Sequence, residues 1–409
     1  MRRVVITGLG AASSLGITLS EIESTLRSGK SCITYCPDFE EHGFSSLVAG
    51  WIADWDASEH LDRKAIRMMG RGSEFSVYAA LQALKDSGLR DPDVQNDRCG
   101  CMVGCGEGSA MDMYEAAYAM KEHNKTRRIG LRVPKTMASS RSANISMLIK
   151  NRGMSLGISA ACASGLVNIG YAYQVVKWNV QDVVFAGGGE SCDWAGSAFF
   201  DAMGVLPKNF NDHPSAASRP FDRDRSGFVM GEGGGVCIVE SLEHAISRGA
   251  PIYGEIMGYV TNCDGGNSMV APSREGQAEC MKMVLQDAGL DPKDIDYINT
   301  HGTSTVAGDP SEIAAIKQTF QENTPMLTST KSQIGHTIGA AGAIELIASL
   351  IMMKQSFIAP SINIDHLDPA CEYSNIITKT KEVEFNTFIT NNFGFGGSNA
   401  SMIIRKYKP

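Results

Sequence analysis

The chain has 409 residues, of which 43% are hydrophobic and 20% charged, and its formal net charge is −8. This composition is typical of a soluble globular protein, and the acidic balance argues against nucleic acid as the main partner. No run of about 18 apolar residues predicts a membrane span, and the apolar run after Met1 is too short for a secretion signal. We therefore expect a cytoplasmic protein without a bound metal, whose 11 cysteines are reduced thiols.

The first part of the chain alternates strand-like apolar runs with helical patterns. Predicted strands cover residues 3–7, 99–104, 155–159 and 182–187. Predicted helices cover residues 18–29, 64–89 and 114–123, and a fourth runs from Cys162 to near Trp178. The first helix has the clearest ends, because Thr18 and Glu21 form a capping-box pattern and Gly29 is a typical terminator.

The second part repeats this order of elements. Predicted strands or extended segments cover residues 252–261, 295–300, 326–330, 388–392 and 400–405, and predicted helices cover residues 276–288, 311–320 and 339–354. Continuous apolar strands that alternate with helices indicate sheets covered by helices on both faces. Since no low-complexity linker separates the parts, we predict one body of two α/β halves, residues 1–250 and 251–409.

Small residues surround Cys162 at the junction between a predicted strand and a predicted helix. Residues 157–165 read GISAACASG. The dipole and free N–H groups of a helix N-terminus favour a thiolate, and small neighbours leave room for a substrate carbonyl. Cys162 is therefore a candidate nucleophile. The alternative is a buried, inert cysteine beside a tight turn.

Two of the eight histidines lie in comparable glycine-flanked loops. His301 follows a predicted strand in NTHGTST, residues 299–305. His336 lies in KSQIGHTIGAAG, residues 331–342, which leads into the helix that carries Glu345. A single histidine in a loop is more often structural, but the pair favours a catalytic interpretation.

A glycine-rich hinge, NFGFGGSN at residues 392–399, connects the last two predicted strands. It is either a hairpin loop with bulges or a segment whose backbone N–H groups line an oxyanion hole.

These four motifs, in this order, resemble those of the β-ketoacyl-ACP synthases of the I/II type, members of the thiolase-like superfamily. Further matching segments are VITGLG at residues 5–10, FAGGGE at 185–190, RPFD at 219–222, FVMGEG at 228–233 and APSIN at 359–363. The resemblance spans nearly the whole chain. It implies a thiolase-like five-layer α-β-α-β-α fold of two similar halves, with Cys162 in the first half and both histidines in the second.

The resemblance also implies a two-step reaction. Cys162 would accept an acyl group from acyl-ACP, with the backbone N–H groups of Cys162 and Phe395 holding the oxyanion. Phe395 would act as a gate over the thiol. Malonyl-ACP would then lose its carboxylate, and the resulting enolate would attack the acyl-enzyme. His301 and His336 would stabilise the enolate oxygen by hydrogen bonds.

Other residues match supporting positions of the family. Lys331 and Glu345 would support and orient the histidines. Thr303 and Thr305 would bind the phosphopantetheine arm, which arrives on the acyl carrier protein, so we expect no resident cofactor.

Three basic residues on one predicted helical face, Arg63, Lys64 and Arg67, match the docking site for acyl carrier protein; a solvated helix face is the default interpretation of such a pattern.

The loop of Gly106, Glu107 and Gly108 matches the bottom of the acyl pocket. Family members commonly carry glycine or an apolar residue where Glu107 stands, and a carboxylate facing an alkyl chain is costly. Either Glu107 turns away, or the pocket accepts a polar, aromatic or unsaturated chain.

The leading hypothesis is therefore chain elongation in type II fatty acid synthesis. A specialised type II polyketide or aryl-polyene pathway is the alternative, and a CoA-dependent thiolase is less favoured because residues 392–399 lack a second cysteine. We expect a homodimer with the strand at residues 155–159 at its interface; a heterodimer with a chain-length-factor-like subunit stays open.

Overall fold

A computed structural model describes residues 1–266 and 268–408 of the chain. The strands are β1 (Val4–Ser13), β2 (Thr34–Tyr35), β3 (Val48–Gly50), β4 (Cys99–Gly104), β5 (Ser155–Leu156), β6 (Val183–Glu190), β7 (Met230–Gly231), β8 (Gly233–Ser241), β9 (Gly254–Cys263), β10 (Tyr297–Asn299), β11 (Met326–Thr328), β12 (Phe357–Ile358), β13 (Lys381–Glu382), β14 (Thr387–Gly394) and β15 (Ser398–Arg405).

The α-helices are α1 (Leu19–Ser28), α2 (Pro37–Glu41), α3 (Arg63–Ile66), α4 (Arg71–Ser87), α5 (Asp91–Val94), α6 (Ala110–His123), α7 (Val133–Thr136), α8 (Ser140–Ile149), α9 (Ser164–Lys177), α10 (Trp194–Ala202), α11 (Leu242–Ser247), α12 (Arg274–Ala288), α13 (Gly308–Phe320), α14 (Lys331–Ile334) and α15 (Ala341–Gln355). Thr18 caps α1 with the predicted capping box, and Gly29 ends the helix in the left-handed conformation.

Two groups of five strands repeat one topology. In the first, the strand order is β1-β8-β6-β4-β5, with two antiparallel pairings followed by two parallel ones. In the second, the order β9-β15-β14-β10-β11 has the same sequence of directions. The groups meet where Val5 and Ile6 of β1 pair with β9. As a result, α9 and α15 occupy equivalent positions in two similar halves.

Helices form three layers around these strands. The central layer consists of α9 and α15, which contact each other and strands of both halves. Their apolar side chains make up most of the largest buried cluster, together with inward-facing residues of both strand groups. On the outside, α4 and α8 cover the first group, and α12 and α13 cover the second. The predicted five-layer α-β-α-β-α fold is therefore confirmed.

The segment Ile338–Gln355 is long and apolar enough, by composition, to cross a membrane, but 89% of it is buried inside the protein. It contains α15. Helix α15 packs between the two strand groups, so it is apolar on all sides.

Several predicted elements differ from the structure. The helix predicted at residues 64–89 is interrupted between α3 and α4, because Gly70 is extended and lies too close to Ser109 and Asp112 for a side chain. The strand predicted at residues 155–159 is only the two-residue β5. Strand β8 was not predicted because it begins with three glycines, a residue that disfavours strands. Helix α8, whose first half is rich in serine, was also missed.

Candidate active site

Cys162 lies in a strained turn that connects β5 with α9. The preceding residue, Ala161, has a φ of +48°, a left-handed conformation that costs energy for any residue with a side chain. The Ser164 hydroxyl holds the turn: it donates to the Ala161 carbonyl at 2.6 Å and accepts from the Ala160 N–H at 2.9 Å. The thiol is 8% exposed and lines a cavity of about 440 Å³.

His301 follows β10 and is buried in the same cavity wall. Its backbone N–H and that of Gly302 donate to the Glu312 carboxylate, at 2.8 and 2.7 Å. Glu312 lies on α13, and burial raises the pKa of its carboxyl to about 7. The sequence analysis gave Glu312 no role; the only signal was an acid 11 residues after His301, on the helix that its loop leads into.

His336 is held by backbone hydrogen bonds to the segment before β8. Its N–H donates to the Val229 carbonyl at 2.7 Å, and its carbonyl accepts from Gly231 at 2.9 Å. The imidazole stands edge-on to the Phe228 ring, with ring centroids 5.4 Å apart. Both ring nitrogens lack hydrogen-bond partners among the described residues, so both are available to a ligand.

The structure brings the three candidate catalytic side chains together. The Cys162 Sγ atom and one ring nitrogen each of His301 and His336 all lie within 4.8 Å of one another. The two imidazoles are nearly perpendicular, at 86°, with centroids 5.2 Å apart. A sulfur and two imidazoles can therefore act on one substrate in one cavity. The same atom types bind zinc, so by geometry this trio is also where a soft cation would sit.

Lys331 and Glu345 form a fully buried ion pair behind the histidines. The Asn392 side chain donates to the second carboxylate oxygen of Glu345 at 2.8 Å, a contact that the sequence analysis missed. Burial and the Lys331 ammonium hold the pKa values of His301 and His336 well below their usual range. Both imidazoles are therefore neutral at physiological pH, and each carries one donor and one acceptor nitrogen.

The expectation of a thiolate at Cys162 is wrong for the resting protein. Burial raises the pKa of the thiol to about 12, although Lys331 and the backbone N–H groups of Phe395 and Cys162 act in the opposite direction. The desolvation cost of a buried anion outweighs the helix N-terminus here. A neighbouring base must therefore accept the proton when the sulfur reacts, and the neutral imidazoles are within reach.

The end of β14 lies close to the nucleophile. A side chain at Gly394 would begin 2.8 Å from the Ala160 carbonyl oxygen and 3.2 Å from the Cys162 nitrogen. The next N–H group, that of Phe395, and the Cys162 N–H both lower the pKa of the Cys162 thiol, so each lies near the sulfur. The Phe395 ring lines the cavity with Phe200, at 6.5 Å between centroids.

Thr303 and Thr305 also line the cavity, with their hydroxyl oxygens 3.1 Å apart. Arg225, which the sequence analysis gave no role, fixes their loop by donating to the Thr305 and Val306 carbonyls at 2.9 and 3.0 Å. Its only signal in the sequence was an arginine in the charged run DRDRSG, residues 222–227, which follows directly on the RPFD segment.

The remaining predicted site residues lie outside this cavity. Arg63, Lys64 and Arg67 are exposed at α3, away from the lining residues.

Gly106 and Gly108 flank Glu107, whose side chain is solvent-accessible and reaches over Gly196 of α10. Partial burial and the carboxylates of Glu190 and Asp193 raise the pKa of Glu107 to about 8. Glu107 is close enough to oppose ionisation of Cys162.

Comparisons with known proteins agree with this geometry. Residues 1–245 match the family profile of the β-ketoacyl synthase N-terminal domain, and residues 253–365 match that of the C-terminal domain. The chain is 46% identical to 3-oxoacyl-[acyl-carrier-protein] synthase 1 of Haemophilus influenzae and 44% identical to the Escherichia coli protein of that name, with 100% of each chain covered.

Solved structures give the same result. A β-ketoacyl synthase from Burkholderia phymatum has a TM-score of 0.95 at 35% identity, and a structure entitled the ishigamide ketosynthase/chain length factor has 0.93 at 30%; both cover 100% of each chain. With profiles and full-length relatives in agreement, the chain belongs to the β-ketoacyl synthase family.

Proposed function

We propose that this chain is a 3-oxoacyl-ACP synthase that elongates acyl chains in type II fatty acid synthesis. The reaction is a decarboxylative Claisen condensation between an acyl-enzyme and malonyl-ACP, which gives 3-oxoacyl-ACP. The convergence of Cys162 with two neutral imidazoles in one cavity carries the proposal. Full-length relatives that are 3-oxoacyl-ACP synthases support it.

The first half-reaction transfers the acyl group to Cys162. A neutral imidazole accepts the thiol proton as the sulfur attacks the thioester carbonyl of acyl-ACP. The N–H groups of Cys162 and Phe395 stabilise the oxyanion. The tetrahedral intermediate then expels the pantetheine thiolate, which takes up the proton, so that both imidazoles are neutral again.

The second half-reaction forms the carbon–carbon bond. Malonyl-ACP loses its carboxylate as carbon dioxide or bicarbonate, and the electron pair of the broken bond becomes an enolate. His301 and His336 each donate one N–H to the enolate oxygen, and burial together with Lys331 keeps these donors neutral. The enolate carbon attacks the acyl carbonyl, and the Cys162 sulfur leaves as a thiolate, which takes up one proton from solvent to restore the thiol.

Substrate delivery requires no cofactor held by the chain itself, because the phosphopantetheine arm arrives on acyl carrier protein. The Thr303 and Thr305 hydroxyls at the cavity wall are placed to bind its amides. The exposed Arg63, Lys64 and Arg67 suit an acidic carrier protein by charge. We expect no metal requirement and a cytoplasmic location.

The chain is further proposed to act as a homodimer. Strand β5 is the last of its sheet, so its outer backbone groups are unpaired, and Leu156 is 43% exposed. Met147 on the adjacent α8 is 79% exposed. Pairing of this edge with a second copy would cover both; the alternative is a chain-length-factor-like partner.

A specialised polyketide pathway is a second candidate for the same chemistry. The observation that bears on it is the Glu107 carboxylate, which lies outside the cavity of Cys162 but would disfavour a saturated alkyl chain that extended to it. A panel of acyl-ACP substrates separates the two pathways, since rapid turnover of saturated medium and long chains would contradict the polyketide proposal. Among the described lining residues Cys162 is the only cysteine, which leaves a thiolase, with its two cysteines, without support.

Two substitutions at the nucleophile test the proposal. Cys162→Ala should abolish condensation, whereas Cys162→Gln, which imitates the acylated thiol, should still decarboxylate malonyl-ACP. Cys280→Ala is the matched control, because Cys280 is equally buried but lies on α12 outside the cavity. Product formation by Cys162→Ala would remove the nucleophile, and absence of carbon dioxide release from both Cys162 variants would remove the histidine assignment.

A further inference from the structure

A charged arginine lies in the interior of the first half, next to the active-site loops. Arg141 on α8 is 1% exposed and is the largest fully buried side chain among the described residues. Its Nη2 donates to the Gly108 carbonyl at 2.7 Å and lies 3.5 Å from the Glu190 carboxylate. Its Nε and Nη1 have no acceptor among the described residues. A buried guanidinium with few hydrogen-bond acceptors destabilises the fold. Loss of the Glu190 partner should therefore destabilise it further.

Glu190 ends β6 and is equally buried, with a side chain 2% exposed. One carboxylate oxygen, Oε2, accepts the backbone N–H of Gly106 at 2.5 Å and that of Gly339 at 3.2 Å. The carboxylate therefore joins two loops that are far apart in sequence. Burial raises the pKa of Glu190, and Arg141 is the strongest opposing influence.

Both loops lead to catalytic residues. Gly339 is three residues after His336, and a side chain there would begin 2.1 Å from the Gly106 nitrogen. The neighbouring Ile338 has a φ of +43°, a strained conformation that persists only where the surroundings enforce it. On the other side, the Gly106 carbonyl accepts the hydroxyl of Ser159, three residues before Cys162, at 3.2 Å.

We propose that Arg141 is a positioning residue: it pairs with the Glu190 carboxylate, and this carboxylate holds the His336 loop against the segment that leads to Cys162. This inference rests on the proposed function for its catalytic readout. The other titratable groups that face the pair are Cys105 and Glu107, with Asp193 behind Glu107.

The test replaces Arg141 with methionine, which fills similar space without charge. The pKa of Glu190 then rises further, so Glu190 is protonated over more of the pH range and its hold on the Gly106 and Gly339 N–H groups weakens. We expect kcat for malonyl-ACP decarboxylation, relative to the unsubstituted protein, to be about 10- to 100-fold lower at pH 6 and to recover toward pH 8.5, with KM unchanged. The melting temperature, relative to the unsubstituted protein, should instead fall as the pH rises, because the variant must then bury an unpaired anion.

Three further variants make the result specific. Arg141→Lys keeps a cation and should restore a flat kcat ratio, as should the double variant Arg141→Met/Glu190→Gln, which removes both charges. Arg248→Met is the matched control: it breaks the buried Arg248–Glu240 pair, which lies near the opposite end of the same strands. Arg248→Met should lower the melting temperature but leave the pH profile of kcat unchanged.

A kcat ratio for Arg141→Met that is independent of pH would overturn the inference and leave Arg141 a packing role. If Arg141→Met does not fold but the double variant does, the charge coupling stands; if neither folds, packing is the explanation. An unsubstituted protein that neither condenses nor decarboxylates malonyl-ACP would refute the proposed function instead, and melting temperature against pH would still report on the Arg141–Glu190 pair.

Discussion

Gly394 leaves no room for a side chain where β14 approaches the nucleophile. The Cβ of Gly394→Ala would begin 2.8 Å from the Ala160 carbonyl oxygen, where ordinary contact begins at 3.4 Å. The neighbouring atoms in that direction are backbone, so the strand end and the Phe395 N–H must move by about half an ångström. Such a shift removes one donor from the oxyanion hole, which costs about 100- to 1000-fold in rate, or about 2.7–4 kcal/mol.

The effect should be confined to reactions at the Cys162 thioester. We expect single-turnover acyl transfer from acyl-ACP to fall by the full factor. Malonyl-ACP decarboxylation in the Cys162→Gln background should change little, because it depends on the two histidines. Gly266→Ala is the control, since, its chain neighbours aside, no atom of residues 1–266 or 268–408 lies within 4 Å of its Cβ position. Acyl transfer by Gly394→Ala at the normal rate, or an equal loss in both reactions, would refute this assignment of the oxyanion hole.

Three other outcomes are expected. Lys331→Met should let the pKa values of both active-site histidines rise, so that the acid limb of the pH–rate profile for acyl transfer moves to higher pH. The same variant should lose about 3–5 kcal/mol in its free energy of unfolding by urea, because Glu345 loses its ion-pair partner. Turnover of long saturated acyl-ACP by the unsubstituted protein should decline as the pH rises through about 8, where Glu107 ionises, and Glu107→Gln should remove this decline. An identical pH profile for the two proteins would place Glu107 outside the acyl path. The double reversal Arg63→Glu/Lys64→Glu should raise KM for acyl-ACP at low salt without changing turnover of an acyl-pantetheine, and equal effects on both substrates would exclude a docking role.

The local chemistry of the site was predictable from sequence, because small residues and glycines mark the junctions where reactive side chains emerge. Cys162, His301 and His336 each lie at such a junction. Their mutual distances were not predictable from these junctions alone, since they depend on how the two halves pack. The resemblance to a known family supplied that information instead.

What the sequence could not provide were the consequences of burial. A helix N-terminus predicted a thiolate at Cys162, but desolvation keeps it a thiol. Arg141 lies in a serine-rich segment with no apolar periodicity, so neither α8 nor the buried charge was foreseen. The glycines of β8 disfavour a strand by propensity, yet they are required because Gly234 and Gly235 lie directly against the backbones of α4 and α15.

The sulfur and the imidazoles reach the substrate from opposite halves of the molecule. Strand β1 pairs with β9 across the boundary, and the His336 backbone hydrogen-bonds to Val229 and Gly231 of the other half. Alignment of the reacting atoms also depends on the seam between α9 and α15, where Gly165 and Gly342 permit close approach. A methyl group added in that seam would increase the distance between the nucleophile and the proton carriers. Rate could thus be adjusted from the middle of the core, without altering what the cavity recognises.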